Sequence, residues 1–361
     1  MKKLTKRSKE WSARANTLQL WKELRNRGID RNRKLHKGRA RIFSSIKICL
    51  PALLSLGGSE RRMNLVNTIR KLKESISNIH VSSVVLDFSK VVQLHPCGTL
   101  LLLAEIDKIM EDENYSKKLG VTYPTDSVVE QMLQHIGLLE RFGLPPRITE
   151  ISSTNVLSWL HASGTEGELD SIVNLLPRIL TDGSNMELRI ALLSGMAEAV
   201  ANSSEHAYKN KDKNKIDCKP NLKKWWLFAR QIDDDVAVAI CDLGLGIPGT
   251  LEANWKDEIA SVLKTRSGLK RLDHKMIELA FTVGKTSTEK RNRGKGLKDI
   301  LRVVREQKVG SIFIYSNKGI YVMDNVDKTN VSCDEKASIN GTIIMWKIPI
   351  EAFGFYEAKR A

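Results

Sequence analysis

No stretch of this sequence is apolar for long enough to cross a bilayer. The longest apolar stretches, Ile48 to Leu56 and Leu100 to Ala104, fall far short of the roughly 20 residues that a spanning helix needs. Cysteine is sparse and has no pairing pattern. Cys49, Cys97, Cys218, Cys241 and Cys333 are odd in number, widely spread and free of CxxC spacing. That excludes a disulfide framework or a zinc ribbon and suits a reducing cytoplasm. The basic N-terminus "MKKLTKRSKEW" leads into no continuous apolar segment with a cleavage site, so it does not read as a secretory signal. No internal repeat or strongly biased tract is present. A hydrophobic content of 42% over 361 residues then predicts a soluble globular protein of two or three domains with sizeable cores.

Acidic residues are scarce in one place only. Residues 1–41 hold 15 Lys and Arg against Glu10, Glu23 and Asp30, so they carry +12 of the chain's formal +16. Such an arm is expected to favour nucleic acid, another polyanion, an anionic surface or an acidic protein. Trp11, Leu18, Leu20, Trp21 and Leu24 give part of it an apolar face. No DNA-binding signature accompanies the charge, so base-specific reading is not expected.

Strand and helix patterns then alternate. Residues 41–56 read as one or two strands, and "GGSERRMNLVNTIRKLKESI" as a turn and a helix. "VSSVVLDFS" reads as a buried strand, "GTLLLLAEIDKIMED" as a helix and "LGVTYP" as a short strand. "DSVVEQMLQHIGLLERFG" reads as a helix capped by Asp126. The expected organisation is a basic arm (1–40), a small α/β domain (41–145) and a connector (146–168). A second α/β domain (169–350) and a C-terminal tail (351–361) follow. The second domain opens on helices over 169–180 and 186–208. Its strands are "WWLFARQI", "VAVAICDLG", "GSIFIYS", "GIYVMDN" and "GTIIMWKIPI", with a hairpin turn at Ser316–Gly319.

The order around "VVLDFSKVVQLHPCGTLLLLAEI" resembles the STAS domain of anti-sigma-factor antagonists. In that family a phosphorylatable Ser sits in the loop before the helix. Here Pro96 and Cys97 stand at that place, which puts a regulatory phosphoserine in doubt, and Thr99 is the nearest hydroxyl.

Three later segments carry the chemistry. "AEAVANSSEHAY", 197–208, sets Glu198, Asn202 and His206 at four-residue steps, so that a helix would align a carboxylate, an amide and an imidazole. "DLGLGIP", 242–248, follows a buried strand, and "RGKGLKDI", 293–300, opens a helix with a glycine pair. In this order, with the closing strand, they resemble the GHKL ATPase superfamily of histidine kinases, anti-sigma-factor serine kinases, DNA gyrase B and MutL. The resemblance covers about residues 170–350. It implies a Bergerat-type α/β sandwich, with a mixed sheet and helices on one face, that binds ATP and Mg2+.

The resemblance also assigns roles. Asn202 would be the metal ligand, Glu198 the base for water or a substrate hydroxyl, and His206 a neighbour of the phosphates or a cap of the site. Asp242 would accept from the adenine amino group, with Gly244 and Gly246 admitting the base and Thr342 lining its pocket. Gly294, Lys295, Gly296 and Leu297 would meet the phosphates at a helix N-terminus. "FTVGKTSTEKRNR" would form the lid, with Lys285 and Ser287 as phosphate contacts. A histidine autokinase would need an acceptor His on a dimerisation helix, and the neighbours of His161 in "WLHASG" do not fit that role.

The expected function is a Mg-ATP-dependent switch or ATPase that controls a regulatory protein partner through its STAS-like module. The alternative is a serine/threonine protein kinase of the anti-sigma type, and a homodimer is an allowed assembly. Deleting residues 1–36 should flatten the salt dependence of binding to DNA, RNA or anionic vesicles. An unchanged salt slope would remove the arm as the polyanion contact.

Overall fold

Apolar residues in the later strands run without a break rather than alternating with polar ones, and the computed structural model shows why. The structure describes residues 44–148, 160–165, 185–208, 224–232, 234–254, 272–283 and 296–354, which all lie in one compact unit, Phe43–Ala361. The helix expected over 169–180 and the Lys-rich segment 209–223 lie outside the described residues.

The first layer is α/β. Strands β1 (Ser44–Cys49), β3 (Val81–Asp87) and β5 (Leu119–Val121) form a parallel sheet in the order β1-β3-β5. Helices α1 (Ser59–Ser77) and α2 (Pro96–Met110) make the crossovers, as parallel pairing requires. A two-stranded parallel ribbon of β2 (Leu53–Leu54) and β4 (Gln93–Leu94) adjoins them. Short α3 (Glu113–Ser116) precedes β5, and α4 (Ser127–His135) and α5 (Leu138–Arg141) follow it. Asp126 caps α4 as expected, accepting from the backbone N–H of Val128 at 2.9 Å and of Val129 at 3.0 Å. The helix pattern that ran on to Phe142 breaks at Gly137, whose φ of 73° no helix can hold.

The second layer is a seven-stranded sheet in the order β11-β10-β9-β12-β8-β7-β6. Its strands are β6 (Leu160–Gly164), β7 (Trp225–Ile232), β8 (Asp235–Asp242), β9 (Ser311–Ser316), β10 (Gly319–Asp324), β11 (Thr329–Asp334) and β12 (Thr342–Pro349). Every pairing among them is antiparallel, which corrects the expectation of a mixed sheet. The cause is β12. β8 and β9 run the same way, and the last strand slots between them antiparallel to both. The hairpin at Ser316–Gly319 forms as read, with Asn317 at a φ of 51°. Residues 160–164, within the stretch read as connector, form an edge strand, and β11 was not expected at all.

Helices α6 (Met186–Glu205), α8 (Asp273–Val283) and α9 (Gly296–Arg305) pack on one face of this sheet, and α7 (Gly246–Asn254) follows β8. The other face is covered too, by α2, which corrects the one-sided sandwich. Trp225, Leu227, Ile240, Ile344 and Trp346 point toward α6 and α9, whereas Trp226, Phe228, Cys241, Ile343 and Met345 join the core of the first layer. A sheet buried on both faces needs apolar residues at both phases of its two-residue period.

Helix α2 is correspondingly apolar all round, with Leu100 to Ala104 buried in succession. Gly98 lets it lie against the ribbon, since a Cβ there would sit 2.3 Å from the Leu54 carbonyl oxygen. Its two buried acids are paired, Glu105 with Lys73 and Asp107 with Arg141, and Asp107 also accepts from Trp226 Nε1 at 2.7 Å. Among the described residues, no helix is long and apolar enough to cross a membrane. Because one core joins both layers, urea should unfold this unit in a single transition. Asp107→Ala should lower its stability by about 2 kcal/mol by orphaning a buried indole N–H. Two separated transitions followed by Trp fluorescence would contradict the shared core.

Candidate functional site

Helix α6 begins at Asn185, whose side chain accepts from Leu188 N at 3.1 Å, and it reaches the sheet end at Glu205. Its apolar side is buried through Leu192, Met196 and Val200, so Glu198 and Asn202 fall on the half-exposed side. They meet there. Asn202 Nδ2 donates to Glu198 Oε1 at 2.9 Å, which holds the two side chains together one helical turn apart and leaves the amide oxygen of Asn202 as an acceptor. Burial raises the Glu198 carboxyl above the ordinary glutamate range. The Asn202 bond works against that rise, and the negative charges of Asp299 and Glu205 add to it.

Asp299 stands near because α9 packs closely on α6 at Gly195, where a Cβ would lie 3.1 Å from the Asp299 carbonyl oxygen. Trp346 Nε1 of β12 ties α9 to the sheet by donating to the Ile300 carbonyl at 2.9 Å. Gly296 starts α9, Leu297 packs half-buried beside it, and Lys298 is exposed. Lys285, Ser287, Gly294 and Lys295 lie outside the described residues.

The helix ends one residue short of His206, which serves as its C-cap with N–H bonded to the Asn202 carbonyl. Its imidazole Nε2 lies 3.8 Å from Glu205 Oε2. Beyond the cap, Tyr208 Oη donates to the Lys224 carbonyl at 2.5 Å and accepts from Leu243 N at 3.1 Å. The end of α6 is thereby clamped to the end of β8.

Asp242 closes β8 and is 6% exposed. One carboxylate oxygen accepts from Gly244 N at 2.9 Å, and the other lies 3.4 Å from the Ser203 hydroxyl, itself donating to Ala199 O at 2.8 Å. Burial pushes its carboxyl up to about 6, although the amides of Gly244 and Thr342 and the Ser203 hydroxyl favour the ion. Gly244 is required by close approach, since a Cβ there would meet the Ala207 carbonyl oxygen at 2.3 Å, and Leu245 N donates to that same oxygen. Gly246 has a φ of 74°, which only glycine adopts cheaply.

Thr342 lies opposite Asp242 on one side and Ser316 on the other, because β12 runs between β8 and β9. Its hydroxyl and that of Ser316 are 3.1 Å apart, and Ser316 also accepts from Ile247 N at 2.8 Å. The structure thus brings together Asp242, Gly244, Gly246 and Thr342 at one end of the sheet, and Ser203 ties to them the helix that carries Glu198 and Asn202. Ser203, Ser316, Asn317 and Asp299 belong to the same end and were not singled out from sequence. Ser203 directly follows Asn202 on the buried flank, which was the one available signal.

Two other features are set apart. His161 lies in β6, its ring 5.3 Å from Phe228, so it is on a strand rather than on a dimerisation helix. A cleft of about 260 Å³ lies between α1, α2 and the loop before β12, lined by Asn67, Arg70, Lys73, Glu105 and Asn340 among others. Its charged groups already pair, Lys73 with Glu105 and Arg70 with Asn67, and it holds none of the residues above. Among the described residues, no group of three or more His, Cys, Asp or Glu side chains is placed to hold a metal ion. A scan against protein-family models finds no match, and a search of curated proteins finds no significant one.

The raised Asp242 carboxyl has a signed consequence. The fold binds the proton more tightly than the unfolded chain, so this group supports stability at low pH and loses that support as pH rises from about 3.8 to about 6. Asp242→Asn should gain about 3 kcal/mol relative to the native chain between pH 4 and pH 7. A difference that stays constant across those pH values in urea titrations would contradict the buried carboxylate.

Proposed function

We propose that this chain is an ATP-binding regulatory protein of the GHKL type, in which Mg-ATP binding and slow hydrolysis switch the state presented to a protein partner. The observation that carries the reading is the joining of α6 to the sheet end through Ser203 and Asp242, with the Glu198–Asn202 pair on that same helix and Gly244 and Thr342 beside Asp242, from chain segments far apart in sequence. The residues fit the group. Mg2+ takes few protein oxygens and keeps water and phosphate oxygens around it, so one amide oxygen at Asn202 suffices and a cluster of acids is not required. A buried carboxylate beside closely packed glycines suits an adenine edge, because it accepts from an amino group where guanine would offer a carbonyl.

When bound, Mg-ATP supplies the reactive phosphoryl group and the charge that offsets its oxygens. The work of this chain is positional. Asn202 orients Glu198 through its N–H, and partial burial raises the proton affinity of the Glu198 carboxylate toward that useful for taking a proton from water. The N-terminus of α9, starting at Gly296, presents backbone N–H groups without intrahelical partners, which favour negative charge. The basic arm adds a polyanion contact to this reading.

The first layer bears on the phosphoryl acceptor. Cys97 is fully buried with Sγ 3.3 Å from Met345 Sδ, and Thr99 is 1% exposed. Neither that position nor its nearest hydroxyl is open to a kinase, which counts against phosphorylation there. Water is the favoured acceptor, with a separate protein as the kinase alternative.

Glu198→Ala should keep Mg-ATP binding and lose phosphate release by about 10²-fold or more. Labelled ATP followed into free phosphate and into protein separates ATPase from kinase. Native-rate phosphate release by the variant would remove Glu198 as the base.

A further inference from the structure

Arg62 is the one fully buried basic residue among the described ones, and it reaches from α1 of the first layer into the turns beside the candidate site. Its Nη2 donates to the Asn317 carbonyl at 2.6 Å and its Nε to the Ala337 carbonyl at 3.1 Å. The guanidinium carbon lies 5.8 Å from the centre of the Tyr315 ring, and Nη1 has no hydrogen-bond partner. Among the described residues no carboxylate is hydrogen-bonded to it, and Glu335 and Asp334 act on it only through their charge. A buried charge held by carbonyls and an aromatic face is an expensive way to join two layers, and an apolar side chain of similar volume would join them at lower cost. What an apolar residue cannot do is grip two carbonyls on separate segments with one rigid fork.

The Asn317 carbonyl belongs to a turn bonded to the glycine segments around Asp242, and the Ala337 carbonyl to the segment before β12 that lines the cleft beside α1. Asn317 occupies the left-handed turn between β9 and β10 and makes three further bonds. Its N–H donates to Gly341 O at 3.0 Å, its carbonyl accepts from Ile339 N at 3.0 Å, and its Nδ2 donates to Leu245 O at 2.9 Å. Gly341 precedes Thr342, and Leu245 lies between Gly244 and Gly246. One residue therefore sets the spacing between the two glycine segments around Asp242. The spacing is tight, because a Cβ on Gly341 would lie 2.1 Å from Asp242 O and one on Gly246 would lie 2.7 Å from Asn317 Nδ2.

We propose that Arg62 is a positioning residue for the nucleotide pocket, acting through Asn317, so that the first α/β layer sets adenine affinity as well as closing the core. The proposal rests on the nucleotide reading above. By reciprocity, whatever displaces α1 weakens nucleotide binding, and bound nucleotide resists that displacement.

The test uses the full-length chain with Mg2+ and a non-hydrolysable ATP analogue in calorimetry, and Mg-ATP in steady-state turnover. Arg62→Met should weaken analogue binding about tenfold and raise KM with kcat unchanged, because Glu198 lies on α6, away from the carbonyls that Arg62 grips. Arg62→Lys should restore only part of the loss, since an ammonium lacks the fork. Asn317→Gly, which keeps the positive φ, should weaken binding to a similar degree, and the double variant should be no weaker than either single one. Urea midpoints measured alongside separate affinity from stability. Should Arg62→Met fail to fold, Arg62→Lys and Asn317→Gly carry the comparison. Native affinity in folded Arg62 variants, or losses that simply add in the double variant, would overturn the proposal. A native chain that binds no analogue would instead overturn the nucleotide reading itself.

Discussion

The insertion of β12 between β8 and β9 is the constraint on which the site depends. It places Thr342 across from Asp242 and Ser316 at once, so that three polar side chains from three strands converge at one buried sheet end. It also draws Gly341 so close to the Asp242 carbonyl that no side chain fits between them. The same strand carries Trp346, whose indole ties α9 to the sheet beside α6, where Asp299 is within electrostatic range of Glu198. The raised proton affinity of Glu198 and the buried carboxylate at Asp242 both follow from this packing.

Covering both faces of that sheet joins two segments that looked like separate modules into one compact unit with a shared core. Helix α2 gives up nearly all of its solvent-facing side, and its two buried acids are neutralised by Lys73 and Arg141 rather than by water. The first layer then cannot work as a detachable regulator without exposing Leu100 to Ala104, a large apolar area. Its influence on the site passes instead through fixed contacts, of which Arg62 to Asn317 is the most direct.

Much of this was legible in the residues. Hydrophobic periodicity located α1, α2, α4 and α6, Asp126 marked its helix start, and the turn residues marked the β9–β10 hairpin. Unbroken apolar runs such as "VAVAIC" and "TIIMW" indicated buried strands, but no local pattern says what buries the second face. β11 was missed because Thr329 to Val331 are exposed on a sheet edge and need no apolar signal. β6 was missed because "LHASG" has the composition of a linker and is held by pairing to β7. At the site, Glu198, Asn202, Asp242 and the glycines carried their own signal. Ser203, Ser316 and Asn317 did not, because a serine or a turn asparagine acquires its role only from the strand that folds beside it.

In the proposed reading an adenine nucleotide sits between Asp242 and the Glu198–Asn202 pair. Amide hydrogen exchange of the native chain, with and without Mg2+ and a non-hydrolysable ATP analogue, reads this directly. The account predicts slowed exchange in peptides covering 198–208, 242–248 and 341–343, with little change in the β1–β3 sheet. Unchanged exchange in all three peptides at saturating analogue, or protection confined to the cleft between α1 and α2, would contradict it.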